Sequence, residues 1–220
     1  MSDPEVGRLR LLDACAVSDA LDRLKLTGVV TSLPQRSGGG RIAGRAVTVK
    51  LGTGDPPPGP PRHLCTTAIE ASNEDTVIVV EQRSGVEAGC WGGLLSLGAK
   101  VRGAAGVVAD GPVRDIDEAR AMGFPVFTNK TTSFTARGRV VEKATNEPVQ
   151  IVDVTVHAGD YVLADGSAVI FIRPENIARV LEAAEEIVAR EAAMAKAIQA
   201  GTPISAVLSG AYEHMLQEKP

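Results

Sequence analysis

A chain of 220 residues with 44% hydrophobic and 23% charged residues has the composition of an ordinary folded protein and is long enough to bury a sizeable core. Its net charge of −4 and 3% aromatic content leave no basic footprint, which argues against nucleic-acid binding. No apolar run approaches the ~20 residues needed to span a bilayer, and Met1-Ser2-Asp3-Pro4-Glu5 is too acidic for a secretory leader. The three cysteines, Cys15, Cys65 and Cys90, lack C-x-x-C spacing and match neither a disulfide framework nor a zinc site. The expectation is a cytoplasmic protein that touches no membrane.

In chain order, apolar residues from Leu9 to Leu26 recur at helical spacing, and Thr27-Gly28 offers a stop. Gly38-Gly39-Gly40 lacks the lysine-serine or lysine-threonine pair of a phosphate loop and reads as a flexible link into a strand over 41–51. The run G-T-G-D-P-P-P-G-P-P at 52–61 is a surface loop, because proline fixes φ and removes donors. A helix over 62–71, a buried strand at Thr76–Glu81, a helix over 91–102, a strand at 105–109, a helix over 114–122 stopped by Gly123 and a strand at 125–128 follow. That alternation predicts a partly parallel α/β core. Strands are then expected at 135–142, 149–156, 160–163 and 168–172, with Asp165-Gly166 as a hairpin turn. Pro174 opens a long helix to Ala200, part of which is free to pack on a neighbouring subunit, and a last helix spans 204–216.

The chemistry concentrates between Gly89 and Asp115. Two turns suited to anions, Gly92-Gly93 and Asp110-Gly111-Pro112, flank a short helix and a small-residue strand, and the second delivers Arg114-Asp115. A surface ion pair at a helix start is the plain alternative for that pair. Against it stand its place at a strand's carboxyl end, the free N–H groups expected from Gly92 to Leu95, and Glu118 on the same helical face. His63 can reach such a site or serve as a polar first-turn residue. His157 and His214 share no ligand spacing with it. Trp91 reads as an apolar anchor, and Cys90 as a buried thiol.

The motifs W-G-G-L-L, G-V-V-A-D-G-P-V-R-D-I-D-E and G-F-P-V-F resemble the RraA-like family, as do V-S-D-A-L near Val17, I-A-G-R-A-V-T-V near Ile42 and G-D-Y-V-L-A-D-G near Gly159. The family's pattern is Gly or Asp, twenty residues, Arg-Asp, two residues, then Glu or Asp, and Gly93, Arg114-Asp115 and Glu118 match it. The resemblance implies an α/β protein with a swivelling β/β/α fold, a single domain over 1–220 with a C-terminal helical extension from about 174. It also implies a homotrimer or homohexamer with sites between subunits. The implied activity is that of a class II pyruvate aldolase or oxaloacetate decarboxylase. Such an enzyme acts on 4-hydroxy-4-methyl-2-oxoglutarate, 4-carboxy-4-hydroxy-2-oxoadipate or oxaloacetate through a metal-stabilised pyruvate enolate. Arg114 then binds the substrate carboxylate, the backbone of Gly92, Gly93, Leu94 and Leu95 holds the pyruvyl end, and Asp115 binds Mg²⁺ or Mn²⁺. Glu118 assists directly or through a water.

No organic cofactor is expected, because no glycine-rich loop followed by an acidic residue suits S-adenosylmethionine. The dedicated aldolases have an aspartate where this chain has Gly93, a departure that bears on proton transfer and favours decarboxylation over aldol cleavage. The rival function is a non-catalytic regulator that binds a ribonuclease, as some relatives are described.

Overall fold

The computed structural model describes residues 2–60 and 62–208. Two short helices open the chain, α1 (Pro4–Leu9) and α2 (Ala14–Arg23). The expected single helix over 9–26 is thus two. Asp3 caps the first through the N–H groups of Glu5 and Val6, and Asp13 caps the second through that of Ala16, so the chain restarts instead of continuing. Edge strands β1 (Val29–Val30) and β2 (Gln35–Ser37) precede the long β3 (Ile42–Gly52). Then come α3 (Thr66–Glu70), β4 (Thr76–Glu81), α4 (Gly93–Val101), β5 (Gly106–Val113), α5 (Ile116–Met122) and β6 (Val126–Thr131).

Beyond these lie β7 (Val141–Thr145), β8 (Val149–Ile151), β9 (Val154–Val156), β10 (Tyr161–Ala164) and β11 (Val169–Ile172). A 3₁₀ turn at Pro174–Asn176 leads into α6 (Ile177–Gln199), and α7 covers Ile204–Val207. The remainder of the expected last helix, with His214, lies outside the described residues.

One nine-stranded sheet runs β1-β11-β10-β3-β4-β5-β6-β2, with β7 also paired to β3, and β8-β9 form a separate hairpin. Strands β3 to β6 are mutually parallel, and the others join antiparallel. Strand β3 is long enough to serve two antiparallel partners on one edge. Its Ile42–Arg45 half pairs with β10, and its Val49–Gly52 half with β7. The β7 pairing skips a residue: Ala144 faces Lys50 while Glu142 faces Leu51, so Lys143 is the extra residue of a bulge.

Alternation along the strands sorts their side chains into layers. Ala43 packs with α1, α2 and α6, and Val49, Ile78, Val80, Val107 and Ala109 pack with α3, α4 and α5 on the same face. Ile42, Ala46, Val77, Val79 and Val108 point the other way, onto Val149, Ile151 and Val156 of the β8-β9 hairpin. Hairpin, sheet and helices therefore form a β/β/α stack. The central strand β4 is buried along its whole length, which is why T-V-I-V-V-E shows no polar alternation. Helix α6 has 23 residues, ~35 Å of helix, and its buried positions end at Ile187. No described helix is long and apolar enough to cross a membrane.

Three further expectations fail here. The single strand expected at 149–156 is the β8-β9 hairpin, turned at Val152, whose φ is 55°. Asp110-Gly111-Pro112 is not a turn but the last third of β5. The Asp110 carboxylate accepts from Asn129 Nδ2 and the Val152 N–H, both 2.8 Å, so it ties the hairpin to the sheet and offers nothing to an anion. The strand expected at 135–142 begins only at Val141. Before it, the Thr135 hydroxyl accepts the Arg137 N–H and Gly138 takes a left-handed φ of 73°, which breaks the extension. Leu163 of β10 is fully buried beneath α2 and α6. Leu163→Ala should cost ~2–5 kcal/mol of unfolding free energy, read as a lower denaturant midpoint with an unchanged slope.

Candidate active site

The site forms where β5 ends. Gly89-Cys90-Trp91 lies alongside that strand end, with the Cys90 N–H on the Pro112 carbonyl (2.8 Å) and the Arg114 N–H on the Trp91 carbonyl (2.9 Å). On the other side, the Thr132 N–H donates to Val113 O and the Gly89 N–H to Phe134 O, both 2.9 Å. Three chain segments thus converge on Arg114 and Asp115. Trp91 is buried, donates from Nε1 to Ser96 Oγ at 2.8 Å and stacks on Phe124 at 6.4 Å, so it anchors the start of α4 as expected while also lining the cavity.

Helix α4 begins at Gly93 with Gly92 as its N-cap. The Gly93 N–H donates to Asp115 Oδ2 at 3.1 Å, while the N–H groups of Leu94 and Leu95 have no acceptor among the described residues. Asp115 caps α5 in a left-handed conformation (φ 55°, ψ 38°), which costs a non-glycine residue roughly 1–2 kcal/mol. That geometry turns its carboxylate back toward Gly92 and Gly93.

Arg114 needs glycine at its side: a Cβ on Gly89 would lie 2.6 Å from Arg114 Cγ. Its Nη2 is 3.9 Å from Asp115 Oδ1, with both side chains about one-third exposed, so the pair contributes little to stability. Arg114 Nε is buried with no hydrogen-bond partner among the described residues. The guanidinium is therefore incompletely satisfied by the protein itself.

Glu118, on the first turn of α5, abuts Gly93. A Cβ on Gly93 would collide with Glu118 Oε2, so the glutamate carboxylate fills the space a side chain there would enter. Glu118 is exposed and is not among the residues lining the cavity, although Asp115 Cβ is only 3.3 Å from the same hypothetical atom.

The cavity itself has a volume of about 770 Å³. Gly92 to Leu95, Arg114 and Asp115 form one side, the loop Pro56–Pro60 with Arg62, His63 and Leu64 another, and residues 135–137 with 140–144 a third. Every residue expected to bind substrate is present on it. His63 lines it too, its Nδ1 3.2 Å from the Leu64 carbonyl. The third side was hidden by the misplaced strand. Its signal in the sequence was the polar, glycine-containing run K-T-T-S-F-T-A-R-G-R, which reads more naturally as a loop. Glu142 on that side is already engaged, accepting the Cys65 N–H at 2.6 Å and the Thr145 hydroxyl at 2.5 Å.

Cys90 lines the cavity as well, but burial pushes its thiol up to about 12 and that of Cys65 well above its ordinary value. Neither is a nucleophile at neutral pH. His157 is elsewhere, 3.8 Å from Asp160 of the β9-β10 connection. No group of three or more His, Cys, Asp or Glu among the described residues forms a metal cluster. The donor set at the site, an accessible Asp115 carboxylate with Glu118 nearby, is oxygen only. Such oxygen ligands suit a hard cation that keeps most of its waters.

A glycine-capped helix and an Arg-Asp pair meet at the carboxyl end of a parallel strand, the place where open α/β folds put their ligand crevices. Residues 14–171 match the model of the RraA-like family, described as Aldolase/RraA, and the chain belongs to that family. It is 32% identical over 168 residues to an uncharacterised protein of Methanocaldococcus jannaschii, covering 76% of this chain and 78% of the relative. It is 29% identical over 202 residues to a putative 4-hydroxy-4-methyl-2-oxoglutarate aldolase of Halalkalibacterium halodurans, covering 90% and 91%. A solved structure of an uncharacterised protein from Pseudomonas syringae superposes with a TM-score of 0.82 at 26% identity, covering 94% of this chain and 93% of that one.

Cys15 is exposed whereas Cys65 and Cys90 are buried. Thiol titration of the native protein should therefore show one rapidly reacting group, with the other two appearing only after denaturation.

Proposed function

We propose that the protein is a divalent-metal-dependent carbon–carbon lyase that releases pyruvate from a 2-oxo diacid. The observation that carries this reading is the hydrogen bond from Gly93 to Asp115, which places an accessible carboxylate beside Arg114 and the unpaired N–H groups of α4. The family's link to aldolases supports it.

Arg114 would clamp the carboxylate next to the 2-oxo group, since a planar guanidinium matches a carboxylate with two parallel hydrogen bonds. The N–H groups of Leu94 and Leu95, at the positive end of α4, would hold the pyruvyl oxygens. Asp115 would hold Mg²⁺ or Mn²⁺, with Glu118 alongside or bridged by water. A bound cation supplies Lewis-acid polarisation of the 2-oxo group, so that the electron pair released at C3 is accommodated. A lysine Schiff base is not needed.

The two reactions differ in their protons. Decarboxylation breaks C3–C4, expels CO₂ and leaves a pyruvate enolate without a base. Retro-aldol cleavage must also remove the proton of the 4-hydroxyl. Gly93 brings no acid or base to that step, and among the described residues the carboxylate that fills its side-chain space is that of Glu118. Glu118, acting through a water, takes the hydroxyl proton here, and decarboxylation depends on it less.

Pyruvate release from oxaloacetate and from 4-hydroxy-4-methyl-2-oxoglutarate, with Mg²⁺ or Mn²⁺ and then with chelator, tests this. Chelation and Asp115→Asn should each lower turnover by about 100-fold or more. Glu118→Gln should slow the aldol cleavage at least about tenfold while changing decarboxylation by less than about threefold. Aldolase activity that survives Glu118→Gln removes that residue's role. No turnover of any 2-oxo diacid, together with tight binding to a ribonuclease, would replace the enzyme by the regulator. In contrast, Asp115→Gly should hold or raise stability by up to ~1 kcal/mol, since glycine adopts the left-handed φ freely, while turnover is lost.

A further inference from the structure

The cavity is more cationic than the chain that builds it. Overall the protein carries a net charge of −4. Around the cavity, Arg62, Arg114, Arg137 and Lys143 outnumber the two carboxylates, Asp115 and Glu142. Glu142 forms no ion pair with any of these cations, since its oxygens accept the Cys65 N–H and the Thr145 hydroxyl. The Arg137 guanidinium has no carboxylate partner among the described residues, and neither does Lys143, whose Nζ donates only to the Asp55 carbonyl at 2.8 Å.

Arg137 and Lys143 also belong to a different wall from Arg114. They come from the segment after β6 and from the bulge of β7, whereas Arg114 stands at the end of β5. Lys143 is held in place there. Its side chain runs over Gly52, where a Cβ would come within 3.3 Å of Lys143 Cγ, and past Gly54, with Nζ 3.6 Å from the corresponding position.

We infer that Arg137 and Lys143 form a second carboxylate subsite, reading the end of the substrate remote from its 2-oxo acid and selecting diacids over monoacids. The inference rests on the preceding reading in taking Arg114 as the partner of the 2-oxo acid's own carboxylate. Two cations without a carboxylate partner on a separate wall lower the energy of a second negative charge and do nothing for a methyl group in its place. They set specificity and touch no bond that breaks.

The probes are 2-oxoglutarate and 2-oxopentanoate, which have the same chain length and differ in a terminal carboxylate against a methyl. Their dissociation constants are measured calorimetrically with Mg²⁺ on the whole protein, for wild type, Arg137→Met and Lys143→Met. Both replacements keep a long apolar stem at exposed or half-buried positions, and thermal unfolding checks that the fold is retained. Wild type should bind the diacid about tenfold or more tightly than the monoacid. Each variant should cut that advantage to about threefold or less and leave the monoacid within twofold of wild type. Equal affinities in wild type, equal weakening of both ligands in the variants, or no measurable binding of the diacid would each overturn the subsite. Because the readout is binding, a protein that shows this selectivity but releases no pyruvate retains the subsite and loses the lyase reading. A lyase without the selectivity loses only the subsite.

Discussion

The hydrogen bond between the Gly93 N–H and Asp115 is the contact on which the rest of the site depends. It joins the beginning of α4 to the beginning of α5, two helices that follow neighbouring parallel strands. The bond requires Asp115 in a left-handed conformation that an aspartate adopts at a cost, and it spends one of the α4 N–H groups that an anion would otherwise find. In return the carboxylate is fixed beside Arg114 without being neutralised by it, since their nearest charged atoms are 3.9 Å apart. A tighter ion pair would have left neither group for a ligand.

Glycine in this region is a means of approach more than of flexibility. Gly89 lets the Arg114 stem lie flat against the backbone, and Gly93 lets Glu118 reach the helix start. The absence of a side chain at Gly93 therefore does not leave a gap. Another helix's carboxylate fills it, which keeps an acid-base group near Asp115 while changing the direction from which it comes.

Much of this was visible in the residues alone. Thr76–Glu81 announced itself as a buried parallel strand because both its faces are covered, and Gly123 marked the end of α5 because it takes the left-handed φ of a helix cap. Arg114, Asp115 and Gly93 could be brought together because only one helix, one connection and one strand separate them. The far wall was not legible. Its strand was expected too early, since the alternation in T-A-R-G-R-V-V-E suits an extended chain until Gly138 turns it. The edge strands β1 and β2 have only two and three residues, too few for any periodicity to show. Asp110-Gly111-Pro112 had turn composition but strand geometry. There the glycine serves a close approach, a Cβ lying 2.7 Å from that of Gln82.

The bulge in β7 bears on how the charge of this cavity wall is set. Neighbouring residues of a regular strand face opposite sides, so Glu142 and Lys143 would ordinarily divide between the cavity and the solvent. With one residue unpaired against Lys50 and Leu51, the strand departs from that alternation, and Glu142 and Lys143 line the cavity together with Val141 and Ala144. The charge of that wall is thus governed by residue count as much as by residue type. A single deletion in β7 that restored regular pairing would shift the charges along this wall by one position, altering the electrostatics of the cavity without touching Arg114, Asp115 or the helix that opens beside them.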